Sequence, residues 1–340
     1  MEIQSAIGKV VNRQDLTNSE MQSVMRAIMR GETTEAQIGG FLIGLRMKGE
    51  TVTEITAAAT VMRELANRVD IDLPNMVDIV GTGGDQSHTF NISTTAAFVI
   101  AAAGGNVAKH NNRSVSSKSG SADVLEAAGV KIDLTPDQVR ECVEKTGVGF
   151  MFAQMHHSAM KHAIGARREL ATRTIFNMLG PLTNPASVPN ELMGVFSKEL
   201  VEPMAMVLQQ LGAKRVMVVH SDDGMDEISI SAPTAVSELN DGVISSYLIT
   251  PEEFNFELAE LSDLQVSDTQ QSLRMLLDVL DNKPGAARNI VVFNAGAAIY
   301  LAGLAYDVAT GIEMADTAIS SGSARHKLDE LVQLTSQFGN

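Results

Sequence analysis

Ahead of Ile71, apolar residues recur with the period of a helix. Met21, Val24, Met25, Ile28 and Met29 form one stripe, and Ile38, Phe41, Leu42 and Leu45 form a second. Each stripe follows a pair at capping-box spacing, Thr17 with Glu20 and Thr34 with Gln37, where side chain and backbone satisfy each other's orphan groups. Gly31 and Gly49 stand where the stripes stop. Thr53 to Ala66, rich in Ala and Glu, predicts a third helix. The methionines of these stripes are core positions.

At Met76 the pattern changes to a short apolar run, VDIV, followed by the glycine cluster GTGGD and a helix predicted over Ile92 to Ala103. Strand, polar turn and helix then recur. NVAKH precedes an Asn-Ser loop and SADVLEAAG, KIDL precedes TPDQVRECVEK, and GVGFMFA precedes MHHSAMKHAIGARREL. RVMVVHS follows a helix from Val201. This alternation implies a mostly parallel sheet covered on both faces. The expected fold is therefore a small N-terminal helical domain, residues 1–72, and a larger α/β domain, residues 73–340. Pro74 punctuates the boundary, and helices near 160–185 are expected to join the helical domain. The Pro- and Asn-rich stretch Phe176 to Asn190 reads as a hinge or a second crossing between the two.

Composition narrows the function. Twenty-six Lys and Arg against 41 Asp and Glu give a net charge of −15, which opposes binding to nucleic acid or an anionic membrane. No apolar run approaches the roughly 18 residues needed to span a bilayer, and the N-terminus lacks the features of a secretory or transit signal. A cytoplasmic location is expected. Cys142 is the only cysteine, so any metal must use oxygen or imidazole ligands. Against this acidic background, Gln86 to Ala122 contains no Asp or Glu and carries Lys109, His110, Arg113 and Lys118. That window is suited to an anion.

Three constellations carry chemistry. In GTGGD, Gly81, Gly83 and Gly84 follow a strand, and their missing side chains let backbone N–H groups approach phosphate oxygens. Gln86 excludes the dinucleotide fingerprint, and no terminal Gly-Lys-Ser/Thr is present to make a P-loop. Thr89 to Thr94 then sets hydroxyls and an amide at a helix start, where they cap it and add donors. The second constellation, Lys109 to Asp123, is dense in cationic, amide and hydroxyl donors around another helix start. The third, Ser221 to Glu227, places carboxylates at a strand end without the EF-hand pattern and favours Mg²⁺. Each taken alone is also compatible with an ordinary turn, a polar surface loop or a solvated acidic turn. His156, His157 and His162 have no HExxH arrangement and read as polar helix positions, and no G-x-S-x-G elbow supports a serine triad.

Together, VDIVGTGGD, TFNIST, VAKHNNRSVSSKSGSADVLEAAG, GARRELATRTIFNMLGPLTNP and VHSDDGMDEIS resemble the anthranilate phosphoribosyltransferases. The resemblance covers most of the chain. It implies a helical domain plus an α/β domain of the nucleoside phosphorylase/phosphoribosyltransferase kind, usually a homodimer. It also implies transfer of phosphoribose from 5-phosphoribosyl 1-pyrophosphate (PRPP) to the amine of anthranilate in tryptophan biosynthesis, assisted by Mg²⁺, with two ions expected.

Carried over by the resemblance, Gly81, Gly84, Asp85, Thr89, Asn91, Ile92, Ser93 and Thr94 would meet PRPP. Lys109, His110, Asn111, Asn112, Arg113, Ser114, Val115, Ser116, Ser117 and Ser121 would surround its phosphates. Ser93, Asp226 and Glu227 would hold metal, and Gly81, Asn112 and Arg167 would meet anthranilate, with Arg167 on the carboxylate. No dedicated catalytic acid or base is implied. Three positions depart from the family pattern. Gln86 stands where glycine is usual and makes any positive φ costly. Asn111 replaces another glycine, a milder change because asparagine tolerates left-handed geometry. Ala171-Thr172 replaces a Gly-x pair before Arg173. Two rival functions are a pyrimidine nucleoside phosphorylase, whose own phosphate-loop and base-reading motifs are not seen, and a non-catalytic PRPP-binding paralogue, against which the intact DGMDE run argues.

Overall fold

The computed structural model describes residues 1–113 and 119–339. Four helices open the chain: α1 Ile3–Val11, α2 Asn18–Met29, α3 Glu35–Lys48 and α4 Val52–Glu64. Thr17 and Thr34 form the expected capping boxes, and Thr51 forms a third with Glu54, which sets the start of α4. After β1 (Met76–Gly81) come α5 (Ile92–Ala102), β2 (Asn106–Asn111), α6 (Ser121–Ala127), α7 (Pro136–Thr146), β3 (Val148–Phe152) and α8 (Ala153–His156). They are followed by α9 (Lys161–Leu170), α10 (Phe176–Leu182), β4 (Asn190–Gly194), α11 (Val201–Gln210), β5 (Arg215–Ser221), β6 (Thr234–Asn240) and β7 (Val243–Ile249). Helices α12 (Thr269–Leu280), α13 (Ala286–Leu301), α14 (Val308–Ser320) and α15 (Ser323–Gln337) complete the chain.

Among the described residues, seven strands form one sheet in the order β3-β2-β1-β4-β5-β6-β7. The first five in that order are parallel, and β6 and β7 add an antiparallel hairpin at one edge. The sheet is thus mostly parallel, as the alternation of elements implied. One expected strand is absent. KIDL (Lys131 to Leu134) joins no neighbour in the sheet. Its alternating Ile132 and Leu134 are buried against helices, and the Lys131 amide donates to Thr335 Oγ1 of α15 at 3.2 Å. Apolar alternation there reports a buried connector.

The interior divides into two clusters. One lies between the sheet and helices α5, α7 and α12 to α15. The other gathers α1 to α4 with residues of α9, α10 and α11 and with Met193, Val216 and Val218 from the opposite sheet face. Ala163, Ala166, Phe176 and Leu179 from the chain between 160 and 185 therefore pack with the N-terminal helices.

Candidate active site

The loop Gly81 to Asp85 leaves β1 beside β4, with Gly81 paired in register to Gly194. Both glycines are required by close approach. A Cβ on Gly81 would lie 2.3 Å from Asp226 Oδ2, and one on Gly194 would lie 1.6 Å from the Asp226 carbonyl. The acidic turn after β5 is thereby seated directly on the glycine loop, and the Gly83 amide donates to Asp226 Oδ2 at 2.7 Å. Gly83 and Gly84 have φ of 67° and 76°.

Gln86 has φ 63°, in the left-handed region that a β-carbon disfavours, so this departure carries the expected backbone cost. Ala171 likewise ends α9 in left-handed geometry, φ 45°. Asn111 differs from expectation. It closes β2 opposite Phe152 without positive φ, and its Oδ1 accepts from the Asn112 amide at 2.8 Å.

The start of α5 is also arranged differently from a simple cap. Asn91 occupies the N-cap position but makes no side-chain cap bond. Its Oδ1 accepts from Ser119 Oγ at 3.0 Å and Ser272 Oγ at 2.7 Å. Asn91 therefore does not cap the first turn of α5, and the Ser93 amide there, at the positive end of the helix dipole, is met by the Glu227 carboxylate from the turn after β5. Ile92 is buried, Ser93 and Thr94 lie on the first turn, and Thr94 Oγ1 donates to Ser121 Oγ at 3.0 Å, linking the starts of α5 and α6. Thr89 forms a bridge with Gln265, and the Val266 amide donates to the His88 carbonyl at 2.9 Å. Sequence patterns gave no sign of this brace or of Ser272, because their partners lie far away in the chain.

Lys109 is buried below this site. Its ammonium donates to the Ile79 carbonyl and to Ser93 Oγ at 3.2 Å, and burial lowers its pKa while Asp78, Glu227 and Asp226 oppose that effect. It underpins the first turn of α5. His110 is also buried. Its Nδ1 contacts the Gly180 carbonyl at 3.2 Å, its ring lies 4.9 Å from that of His157, and burial with the neighbouring histidines holds its pKa well below the ordinary value. His156 and His157 face the carbonyls of Asn67 and Thr183.

Asn112 Oδ1 accepts from the Arg113 amide at 2.8 Å. Arg113 pairs with Asp123 at 2.9 Å and with Glu126, an exposed arrangement. Ser114, Val115, Ser116 and Ser117 lie outside the described residues. Arg167, on α9, has its guanidinium 5.2 Å over the Phe176 ring, and burial lowers its pKa.

Asp226 and Glu227 are half-buried. Burial, then repulsion from Asp85, pushes Asp226 up to about 7, and burial, then repulsion from Asp226, pushes Glu227 up to about 8. A divalent cation would relieve that crowding. Among the described residues no three acidic or imidazole side chains converge into a ready-made cage. The carboxylates fit Mg²⁺, which takes a few protein oxygens and completes its shell with water and substrate phosphate.

A glycine loop, a helix start and a carboxylate turn meet at the strand ends of an α/β sheet, and the class of protein in which the chain falls is the glycosyl transferases. The chain matches the glycosyl transferase family a/b domain over residues 73–325 and that family's helical bundle domain over residues 4–66. Anthranilate phosphoribosyltransferases from Thioalkalivibrio sulfidiphilus and Methylococcus capsulatus are 60% and 58% identical to it over 335 and 338 residues. These alignments cover 98% and 99% of this chain and 99% of each relative. The crystal structure of the Thermus thermophilus anthranilate phosphoribosyltransferase superposes with a TM-score of 0.92 at 39% identity, covering 97% of this chain and 99% of that one. The Saccharomyces cerevisiae enzyme in complex with PRPP and Mg superposes with a TM-score of 0.91 at 26% identity, covering 99% and 98%. The chain belongs to the anthranilate phosphoribosyltransferase family.

Proposed function

We propose that this protein transfers the phosphoribosyl group of PRPP to the amine of anthranilate, releasing pyrophosphate. The observation that carries the reading is the seating of Asp226 on the glycine loop, through the Gly83 amide and the two close-approach glycines. It brings to one point the backbone that would bind phosphate and the carboxylates that would bind the cation. Gly81, Gly84, Asp85, Thr89 and Asn91 to Thr94 would line the PRPP side, with Ser121 behind them. The Lys109 to Ser117 segment would complete the phosphate enclosure. Two Mg²⁺ ions held by Asp226, Glu227 and Ser93 would spread the charge of the departing pyrophosphate. Arg167, with Gly81 and Asn112, would receive anthranilate, because a guanidinium fork matches a planar carboxylate.

The neutral amine would then attack C1 opposite the leaving group while that carbon has oxocarbenium character, the C1–O bond to pyrophosphate breaking as the C1–N bond forms and the proton lost by nitrogen passing to solvent. Pyrophosphate leaves without a protein acid, so positioning and charge supply the acceleration. His110, buried and held neutral, would line the approach without acting as an imidazolium acid. A homodimer in the cytoplasm is part of the same reading.

The test is to mix the protein with PRPP, Mg²⁺ and anthranilate and to follow anthranilate fluorescence. A decrease that EDTA abolishes, with the fold intact by circular dichroism, supports the reading. PRPP binding without turnover would favour the non-catalytic paralogue, and cleavage of a pyrimidine nucleoside by phosphate would favour the phosphorylase.

A further inference from the structure

Two side chains hold the glycines at the tip of the Gly81 to Asp85 loop. Asp226 accepts from the Gly83 amide on one side, and Arg173 donates to the Gly84 carbonyl on the other. The two ties differ in kind. Asp226 is also a proposed cation ligand, so its carboxylate serves two partners. Arg173 is not among the residues that the motifs assign to substrate or metal.

Its surroundings fix its direction. The guanidinium stacks 4.4 Å from the Phe196 ring centroid, and the Phe196 amide donates to Thr82 Oγ1 at 3.1 Å, so the stacking partner is itself fastened to the glycine loop. The Arg173 carbonyl accepts from Arg46 Nη1 of α3 at 2.7 Å, and the same nitrogen donates to Thr172 Oγ1. Arg46 is exposed. A chain of contacts therefore runs from α3 through Thr172 and Arg173 to Gly84. It crosses the segment that leaves α9, the helix bearing Arg167, through the left-handed Ala171.

We propose that Arg173 is a positioning residue that holds the glycine loop in register with the acceptor-side arm carrying Arg167, and that Arg46 holds Arg173 in turn. Gly83 and Gly84 have no side chains with which to restrain themselves, so an external donor decides which way the loop carbonyls face and hence where its N–H groups point. A donor fixed to the acceptor arm sets the distance between the two substrates, which is the quantity on which a positioning mechanism depends. The inference rests on the phosphoribosyl-transfer reading for its consequence in catalysis, but not for the tie itself.

The experiment is a double-mutant cycle of Arg46→Ala and Arg173→Ala. It is read by PRPP affinity without anthranilate, by KM and kcat, and by amide hydrogen exchange of residues 82–86 in the ligand-free protein. Arg173→Ala should weaken PRPP binding roughly tenfold or more, as expected for a lost charge-assisted hydrogen bond, and should speed local exchange. Arg46→Ala should weaken binding roughly threefold in the wild-type background and have no further effect beside Arg173→Ala. Arg173→Lys, which keeps a cationic donor, should recover part of the loss. Unchanged affinity and exchange in Arg46→Ala, or fully additive effects, would overturn the proposal and leave Arg173 as a direct ligand. If Arg173→Ala does not fold, Arg46→Ala with Arg173→Lys decides the same question. A wild-type protein that fails to transfer phosphoribose would count against the functional reading alone, because exchange at residues 82–86 still reports on the tie.

Discussion

Gly194→Ala is the substitution for which the structure predicts the largest effect from the smallest change. The added methyl carbon would stand 1.6 Å from the Asp226 carbonyl oxygen, 2.4 Å from its carbon and 3.0 Å from its Cα, whereas real Cβ contacts essentially never fall below 3.0 Å. The obstacle is backbone, so no rotamer change relieves it. Either the Asp226 turn or strand β4 must shift by more than ~1 Å, and misplacements of that size cost on the order of 100-fold in rate. Overpacking also costs about 1–3 kcal/mol in stability. At Gly81 the nearest obstacle is the Asp226 side chain, at 2.3 Å, which can swing away only by giving up its bond from the Gly83 amide. Gly194→Ala should therefore lower kcat/KM on the order of 100-fold and raise the Mg²⁺ concentration needed for half-maximal activity. Anthranilate fluorescence across a Mg²⁺ titration, beside a thermal melt, measures both. A variant with a rate within a few-fold of wild type and an unchanged Mg²⁺ requirement would refute the claim that Asp226 must be seated on the glycine pair.

Gln86→Gly should raise stability by up to about 1 kcal/mol, the left-handed penalty less the added chain entropy, and should lower the KM for PRPP; an unchanged melt and KM would show that φ 63° at this position costs nothing. Arg167→Ala should raise the KM for anthranilate far more than that for PRPP, and equal effects in initial-rate kinetics would contradict its place on the carboxylate. Asp78 and Glu191 are buried register partners on β1 and β4, and burial raises both, Asp78 to about 6. Acids that hold protons more tightly when folded lose stability as pH climbs from the ordinary carboxylate range through the raised values, so the melting-temperature difference between Glu191→Gln and wild type should grow in favour of the variant from about pH 5 to about pH 8. A constant offset across that range would contradict a raised Glu191.

What could be read from the sequence was what local chemistry decides. Thr17 with Glu20 and Thr34 with Gln37 announced their helices because a capping box closes within four residues, and VDIVGTGGD announced a strand and turn for the same reason. KIDL misled because alternation records burial on one side, and α15 supplies that burial without any sheet partner. The hairpin of β6 and β7 had a signal that could have found it, Asp241-Gly242, both at positive φ between strands of opposite direction. Ser272 on Asn91, Gln265 on Thr89 and Arg173 on Gly84 had none. Each joins residues more than eighty positions apart, and a lone Ser, Gln or Arg has no pattern to mark it.

The acid-free window from Gln86 to Ala122 shows how composition points to a site without describing its working parts. By the resemblance its cations would surround the phosphates. In this fold Lys109 lies beneath α5 beside Asp78, Asp226 and Glu227, and Arg113 pairs with Asp123 and Glu126 just beyond the window's end. Among the described residues, the N–H groups beside them are those of the first turn of α5 and of the glycine loop. The carboxylates that meet these N–H groups come from outside the window, Asp226 at the Gly83 amide and Glu227 at the Ser93 amide, so a phosphate docking there would have to displace an acid already seated or share a cation with it.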